Sequence, residues 1–151
     1  MIKQILKNLF IDSALKEDVQ FLKKIELFQG VHDKALAKIA LIVFKKTYAV
    51  GDKIFKIKQE ANVVYIIKEG EIKISSASSD KILGAEDFFG EIALFENKKH
   101  DSSATAVKKS ELYLIYRVKL DDLVDSDIKT GFKIMKNLSN IFATRLKCLE
   151  L

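Results

Sequence analysis

Three features of the sequence predict an α+β fold in which an antiparallel β jelly-roll barrel carries helices at its N-terminus and one long helix at its C-terminus. Apolar residues recur with a helical period before Phe44, then fall into short β-rich segments divided by turn residues, and return to a helical stripe after Ser126. A chain of 151 residues, 48% hydrophobic and 31% charged, has the size of one domain with a real core. Its ordinary apolar fraction and the lack of low-complexity runs exclude collagen-like, mucin-like and extended disordered states.

The N-terminal helices come first. Ile2, Ile5, Leu6, Leu9 and Phe10 follow the i, i+3, i+4 spacing of a one-sided helix. Asp12 and Ser13 predict a break and a new N-cap, after which Leu15, Val19 and Leu22 continue a second helical stretch. Gly30 closes the segment from Leu22 to Gln29. His32 or Asp33 then caps a third helix with Leu36, Ile39, Ala40 and Val43 on its apolar face.

From Phe44 onward, Gly51-Asp52, Gln59–Asn62, Glu69-Gly70, Ser75–Asp80 and Gly84–Asp87 separate runs rich in Val, Ile, Tyr and Phe. The runs predict strands near 44–50, 53–57, 63–68, 71–76, 80–83, 103–107 and 112–118, the turn spacing of a small sandwich or barrel. A final helix, capped at Ser126, carries Ile128, Met135, Phe142 and Leu149 at seven-residue intervals, flanked by Ile134, Leu138, Ile141 and Leu146. That stripe is wide enough to meet two surfaces, the barrel and the same helix of a second subunit, or to form one broad packing face. The expected division is a helical extension at 1–20, the jelly roll at 21–127 and the C-terminal helix at 128–151, which would hold a homodimer together if it pairs.

Charge and composition narrow the function classes. The net charge is +5, but Lys129, Lys133, Lys136, Arg145 and Lys147 against Glu150 place +4 of it on the last helix. Arginine, the favoured reader of phosphate and base edges, occurs at Arg117 and Arg145 alone, so direct nucleic-acid binding is not expected. The basic face suits an acidic partner or simply solvent. No run approaches a membrane span, no cleavable leader is recognisable, and the lone Cys148 and two histidines, His32 and His100, can build neither an internal disulfide nor a zinc site. A cytoplasmic protein is expected. No nucleophile–base set, paired carboxylates, phosphate loop or metal spacing predicts an enzyme.

The segment L-G-A-E-D-F-F-G-E-I-A-L at 83–94 carries a resemblance. With the strand order before it, the lead-in L-K-K-I-E-L-F-Q-G at 22–30 and the long helix after it, the chain over residues 21–150 resembles the cyclic nucleotide-binding domain family. That family includes the sensor half of the cyclic AMP receptor and Fnr transcription factors, protein kinase A regulatory subunits and the gating domains of some channels. Gly90 permits close backbone approach, and a helical turn over Glu91–Leu94 offers amides to an anion. The resemblance implies that Glu91 holds a ribose 2′-hydroxyl and that the amides of Gly90, Ile92 and Ala93 line a phosphate cassette, with cyclic AMP or cyclic GMP as ligand and no firm cofactor.

The same resemblance exposes a departure. The family's cassette ends in an arginine that pairs with the cyclic phosphate; here that position is His100, or Asp101 with one extra loop residue, or Ser102 with two. Losing such a charge-assisted bond costs about 1.5–3 kcal/mol, one to two decades of affinity. Lys99 or His100, assisted by the hydroxyls of Ser102 and Ser103, would have to supply the phosphate contacts. Two readings follow: a sensor for a cyclic nucleotide or related small anion that signals through its C-terminal helix to an effector protein, or a degenerate domain that binds no nucleotide and serves as a scaffold. Because that helix takes the remaining chain, DNA binding of the kind the transcription factors perform is not expected. Outside this role, His100 reads as a solvent-exposed loop imidazole, Lys98-Lys99 as a loop tip, Phe88, Phe89 and Phe95 as core, and Ser103 and Thr105 as alternating strand residues.

Overall fold

The computed structural model describes residues 1–95 and 98–149, with the side chains of residues 9–11 outside that description; the expected apolar contacts of Leu9 and Phe10 fall there. The chain divides into two compact units, a helical one made of 1–41 with 121–151 and a β unit of 42–120.

In the helical unit, α1 runs unbroken over Ile2–Leu22. The break expected at Asp12-Ser13 is absent, because neither residue removes a backbone donor or clashes with the preceding turn as proline would, and their helix penalty is a few tenths of a kcal/mol against Ala. A 3-10 turn at Glu26–Phe28 buries Leu27 and Phe28, and Gly30 at φ +76° ends it. Helix α2, Asp33–Ile42, follows. His32, the more N-terminal of the two expected caps, accepts the Ala35 N–H on Nδ1 at 3.2 Å.

Strand prediction overran at 112–118. The chain is extended only to Tyr116 and then forms α3, Arg117–Ser126, before α4, Ile128–Leu149. Ser126, expected to cap α4, instead gives its hydroxyl to Leu123 O at 2.8 Å. Asp127 is the cap: Oδ1 accepts the Thr130 N–H at 3.2 Å and Oδ2 accepts the Thr130 hydroxyl at 2.7 Å. Those bonds, the hydroxyl's first, hold the Asp127 carboxyl below its ordinary pKa. Further along α4, buried Asn137 donates through Nδ2 to Leu27 O and Gln29 O, each at 2.9 Å, and ties the helix to the 3-10 turn.

Among the described residues the β unit holds eight strands: β1 (Phe44–Tyr48), β2 (Lys53–Phe55), β3 (Val63–Glu69), β4 (Ile72–Ser75), β5 (Asp80–Leu83), β6 (Phe88–Phe89), β7 (Ser103–Ala106) and β8 (Ser110–Tyr116). They form two four-stranded antiparallel sheets, β1-β8-β3-β6 and β2-β7-β4-β5. The sequence marks seven of these segments, within an expected barrel of eight strands or slightly fewer; β6 is the further one, pairing Phe89 with Tyr65 and Phe88 with Ile66. Val63, Tyr65 and Ile67 alternate inward to a core with Phe55, Phe89, Ala104, Ala106, Leu112 and Leu114. Gly70, at φ +106°, has no room for a side chain, since a Cβ would overlap Ser110. The Ser110 hydroxyl accepts the Glu71 N–H there at 3.1 Å.

Candidate functional site

The segment after β6 is shaped by one glycine. Gly90 adopts φ 73°, ψ 19°, a left-handed conformation that side chains resist. A Cβ at this position would lie 3.0 Å from both Tyr65 Cδ2 and Val63 O. The close approach that glycine permits is therefore to β3 of the same chain. From Gly90 the chain enters a 3-10 turn, Glu91–Leu94, as expected. Glu91 and Ile92 are half-buried and Ala93 is fully buried. The amide of Ala93 is taken, donating to Gly90 O at 3.0 Å, and that of Phe95 donates to Ile92 O at 3.1 Å. An anion at this turn would thus meet fewer open amides than the sequence suggests.

The second half of the segment differs most from expectation. His100 is not a solvent-exposed imidazole: it is 5% exposed, and its ring stacks on Phe55 with centroids 3.5 Å apart and planes 4° from parallel. Phe55 also meets Tyr65 at 5.7 Å and Phe89 at 5.9 Å, while Tyr65 and Phe89 stack at 5.0 Å. Main-chain bonds seat the histidine, its N–H donating to Gln59 O at 2.9 Å and its carbonyl accepting the Lys58 N–H at 2.8 Å. Burial pushes the His100 pKa below its ordinary value, partly offset by Asp101. A neutral ring at physiological pH cannot supply the cation that a phosphate would want.

The remaining candidates scatter. Ser103 opens β7 opposite Ser75; because Ala104 and Ala106 point into the core, Ser103 and Thr105 share the other face, partly exposed. Ser102 is half-buried and Asp101 exposed. Phe88 and Phe89 are core, whereas Phe95 is 37% exposed. Lys98 and Lys99 are exposed and line an open pocket of about 220 Å³ with Glu60, Ala61, Asn62 and Arg117. Sequence reasoning missed Arg117 and Phe55 as members of this region. Arg117 did leave a signal, as one of two arginines in a lysine-rich chain; nothing in the sequence marked Phe55 apart from other strand aromatics.

The sequence model of the cyclic nucleotide-binding domain family matches residues 45–127. A CRP-like cAMP-activated global transcriptional regulator of Mycobacterium tuberculosis is 27% identical over 135 residues, 85% of this chain and 58% of that protein. The regulatory subunit of the cAMP-dependent protein kinase of Candida albicans is 29% identical over 105 residues, 68% of this chain and 22% of the subunit. The chain therefore spans little more than half of the first relative and under a quarter of the second. Among solved structures, the regulatory domain of Toxoplasma gondii PKA with cAMP superposes with a TM-score of 0.73 at 20% identity, covering 86% of this chain and half of that one. Catabolite activator protein of Thermus thermophilus gives 0.71 at 21% identity, covering 83% and 60%. At these identities the structures speak to the fold.

Proposed function

We propose that this chain, which belongs to the cyclic nucleotide-binding domain family, is a regulatory module that binds a cyclic nucleotide or a related small anion at the 90–94 turn and signals through α4. Of the two named relatives, one is a cAMP-activated transcriptional regulator and the other the regulatory subunit of a cAMP-dependent protein kinase, and the module is read as a binder with no reaction of its own. The observation that carries the reading is the left-handed Gly90 leading into the Glu91–Leu94 turn against Tyr65, inside the matched span. Gly90, Glu91 and Ile92, with Ser102 near the chain's return to β7, are the groups proposed to face the ligand. With His100 held neutral, the phosphate is held without the family's guanidinium, so affinity for cyclic AMP is expected to be weak.

Calorimetric titration with cyclic AMP, cyclic GMP and cyclic dinucleotides tests this. Binding that Glu91→Ala abolishes supports the module as a sensor. No heat and no thermal stabilisation at millimolar ligand would leave the fold as an interaction scaffold.

The route to an effector is proposed from α4, which shows two faces. Ile134, Leu138 and Ile141 are buried, whereas Ile128, Phe132, Met135, Leu146 and Leu149 are exposed. The exposed set, with half-buried Phe142, runs 128, 132, 135, 142, 146, 149, and Ser139 fills the remaining place in an alternating four-and-three spacing. That is a coiled-coil seam, and a second copy of the helix is its proposed partner. Ligand would act by favouring one placement of α4 over another. A single 17 kDa species in sedimentation at micromolar concentration would sink the dimer. Among the described residues no helix is long and apolar enough to cross a membrane.

A further inference from the structure

We infer that the pocket formed by Lys98, Lys99 and Arg117 is a second anion site, separate from the 90–94 turn, that takes a small phosphate-bearing anion. Three stretches of chain far apart in sequence meet there: 60–62 before β3, 98–99 after the turn, and Arg117 at the first residue of α3. Each contributes a different kind of group. The two lysines offer mobile point charges, the arginine a planar fork of donors suited to phosphate oxygens, and Asn62 an amide. Among the described lining residues Glu60 is the one carboxylate, so together they carry a formal charge of +2.

The site is built before any ligand arrives. Ala61 N–H donates to Lys98 O at 3.1 Å and Arg117 N–H to Asn62 O at 2.8 Å, and Glu60 and Lys99 form a β-bridge. Arg117 Nη1 reaches Phe95 O at 3.4 Å, which steadies the guanidinium near the turn. Helix α3 begins here with no acidic residue in its first turn, so its positive end adds to the side-chain field. The volume of about 220 Å³ is several times the ~30 Å³ share of one liquid water, enough for a phosphoryl or diphosphoryl group and its remaining hydration. Lysines on the loop that follows the turn, and an arginine bonded to Phe95 O at its end, mean that an anion bridging them would clamp that loop to β3 and α3. This inference does not rest on the proposed nucleotide site, since it uses neither Glu91 nor the barrel interior.

The test is calorimetry on the full chain at low salt with inorganic phosphate and pyrophosphate. Pyrophosphate should bind more tightly than phosphate and weaken as salt is added. Arg117→Gln, and separately the Lys98→Gln/Lys99→Gln pair, should each weaken it by about tenfold or more. Glu60→Gln should tighten it, and Glu91→Ala should leave it unchanged. A phosphorylated sugar competing with pyrophosphate would identify a metabolite as the source, whereas equal competition by inorganic phosphate alone would identify the free ion. No saturable binding at millimolar pyrophosphate, or affinity unmoved by both basic-residue variants, overturns the inference. So does an acidic peptide that matches pyrophosphate charge for charge, because that surface would read charge rather than phosphate. Should Arg117→Gln lower the melting temperature, the exposed lysine pair decides the matter. Loss of cyclic-nucleotide binding with pyrophosphate binding intact would separate failure of the first site from failure of the second.

Discussion

The two halves of the segment between β6 and β7 follow different rules. Over Gly90–Leu94 the backbone takes the short helical turn expected from the sequence, and that shape is enforced by the chain itself, through a left-handed glycine against Tyr65 and Val63. Over His100–Ser103, where the resemblance implies a phosphate-binding arginine, this chain has a ring stacked on Phe55 followed by an exposed aspartate. A turn built from steric constraints survives as long as the strand behind it survives. A charge kept for a ligand has no such support, and an aromatic neighbour can replace its contribution to folding with a stacking contact.

The contrast can be broken at its rigid end first. Gly90→Ala should destabilise the protein by about 2–3 kcal/mol, the sum of a left-handed penalty and crowding against backbone, measured as the urea midpoint at constant m-value. An unchanged midpoint would mean that the turn relaxes easily and is not enforced by β3.

At the other end, Asp101→Arg should raise affinity for cyclic AMP by about ten- to hundredfold if the missing guanidinium is what limits binding. Titration of the variant beside the parent chain measures it. Equal affinities would place the divergence elsewhere in the pocket.

His100 sharpens the comparison. His100→Ala should cost about 1–2 kcal/mol through the lost stack, while His100→Phe should keep most of the stability. The pH dependence separates the two effects. Because the folded pKa lies below the ordinary value near 6.5, the unfolded chain takes up the proton first as pH falls. The contribution is complete above that value and shrinks as pH drops toward the folded pKa. Urea midpoints between pH 7 and pH 5 should fall in the parent more than in His100→Phe. Equal slopes would show that the ring is not held neutral.

The smallest effect is expected at Ser103→Ala, within about 0.5 kcal/mol of the parent, because Ser103 lies partly exposed on the face of β7 away from the core. Cyclic-nucleotide titration of this variant should also match the parent, and a clear loss of affinity would place Ser103 at the ligand site.

How much of this could be read in the chain differs from element to element. The strands of the β unit were legible because inward alternation and turn residues are local signals, and the Glu91–Leu94 turn because its glycine precedes it directly. The short β6 was missed since two residues cannot show a period; what makes Phe88-Phe89 a strand is its pairing with Tyr65 and Ile66. The start of α3 reads as strand in the sequence, because Arg117 and Val118 follow the run of β8 directly and show no helical stripe of their own. The cap of α4 shifted from Ser126 to Asp127, because either side chain suits the role and the end of α3 chose between them.

By itself the sequence determined the periods, the turns and the glycine-led segment, because each depends on residues within a few positions of one another. Tertiary structure alone decided that His100 is buried against Phe55, that Arg117 joins Lys98 and Lys99, and that the stripe of α4 divides into a buried and an exposed face. The first two outcomes depend on distant backbone bonds, Lys58 to His100 O and Arg117 to Asn62 O, and the third has its anchor within the helical unit, where Asn137 of α4 donates to Leu27 O and Gln29 O. No period in the sequence encodes such pairings, since they are selected by the closure of the whole barrel.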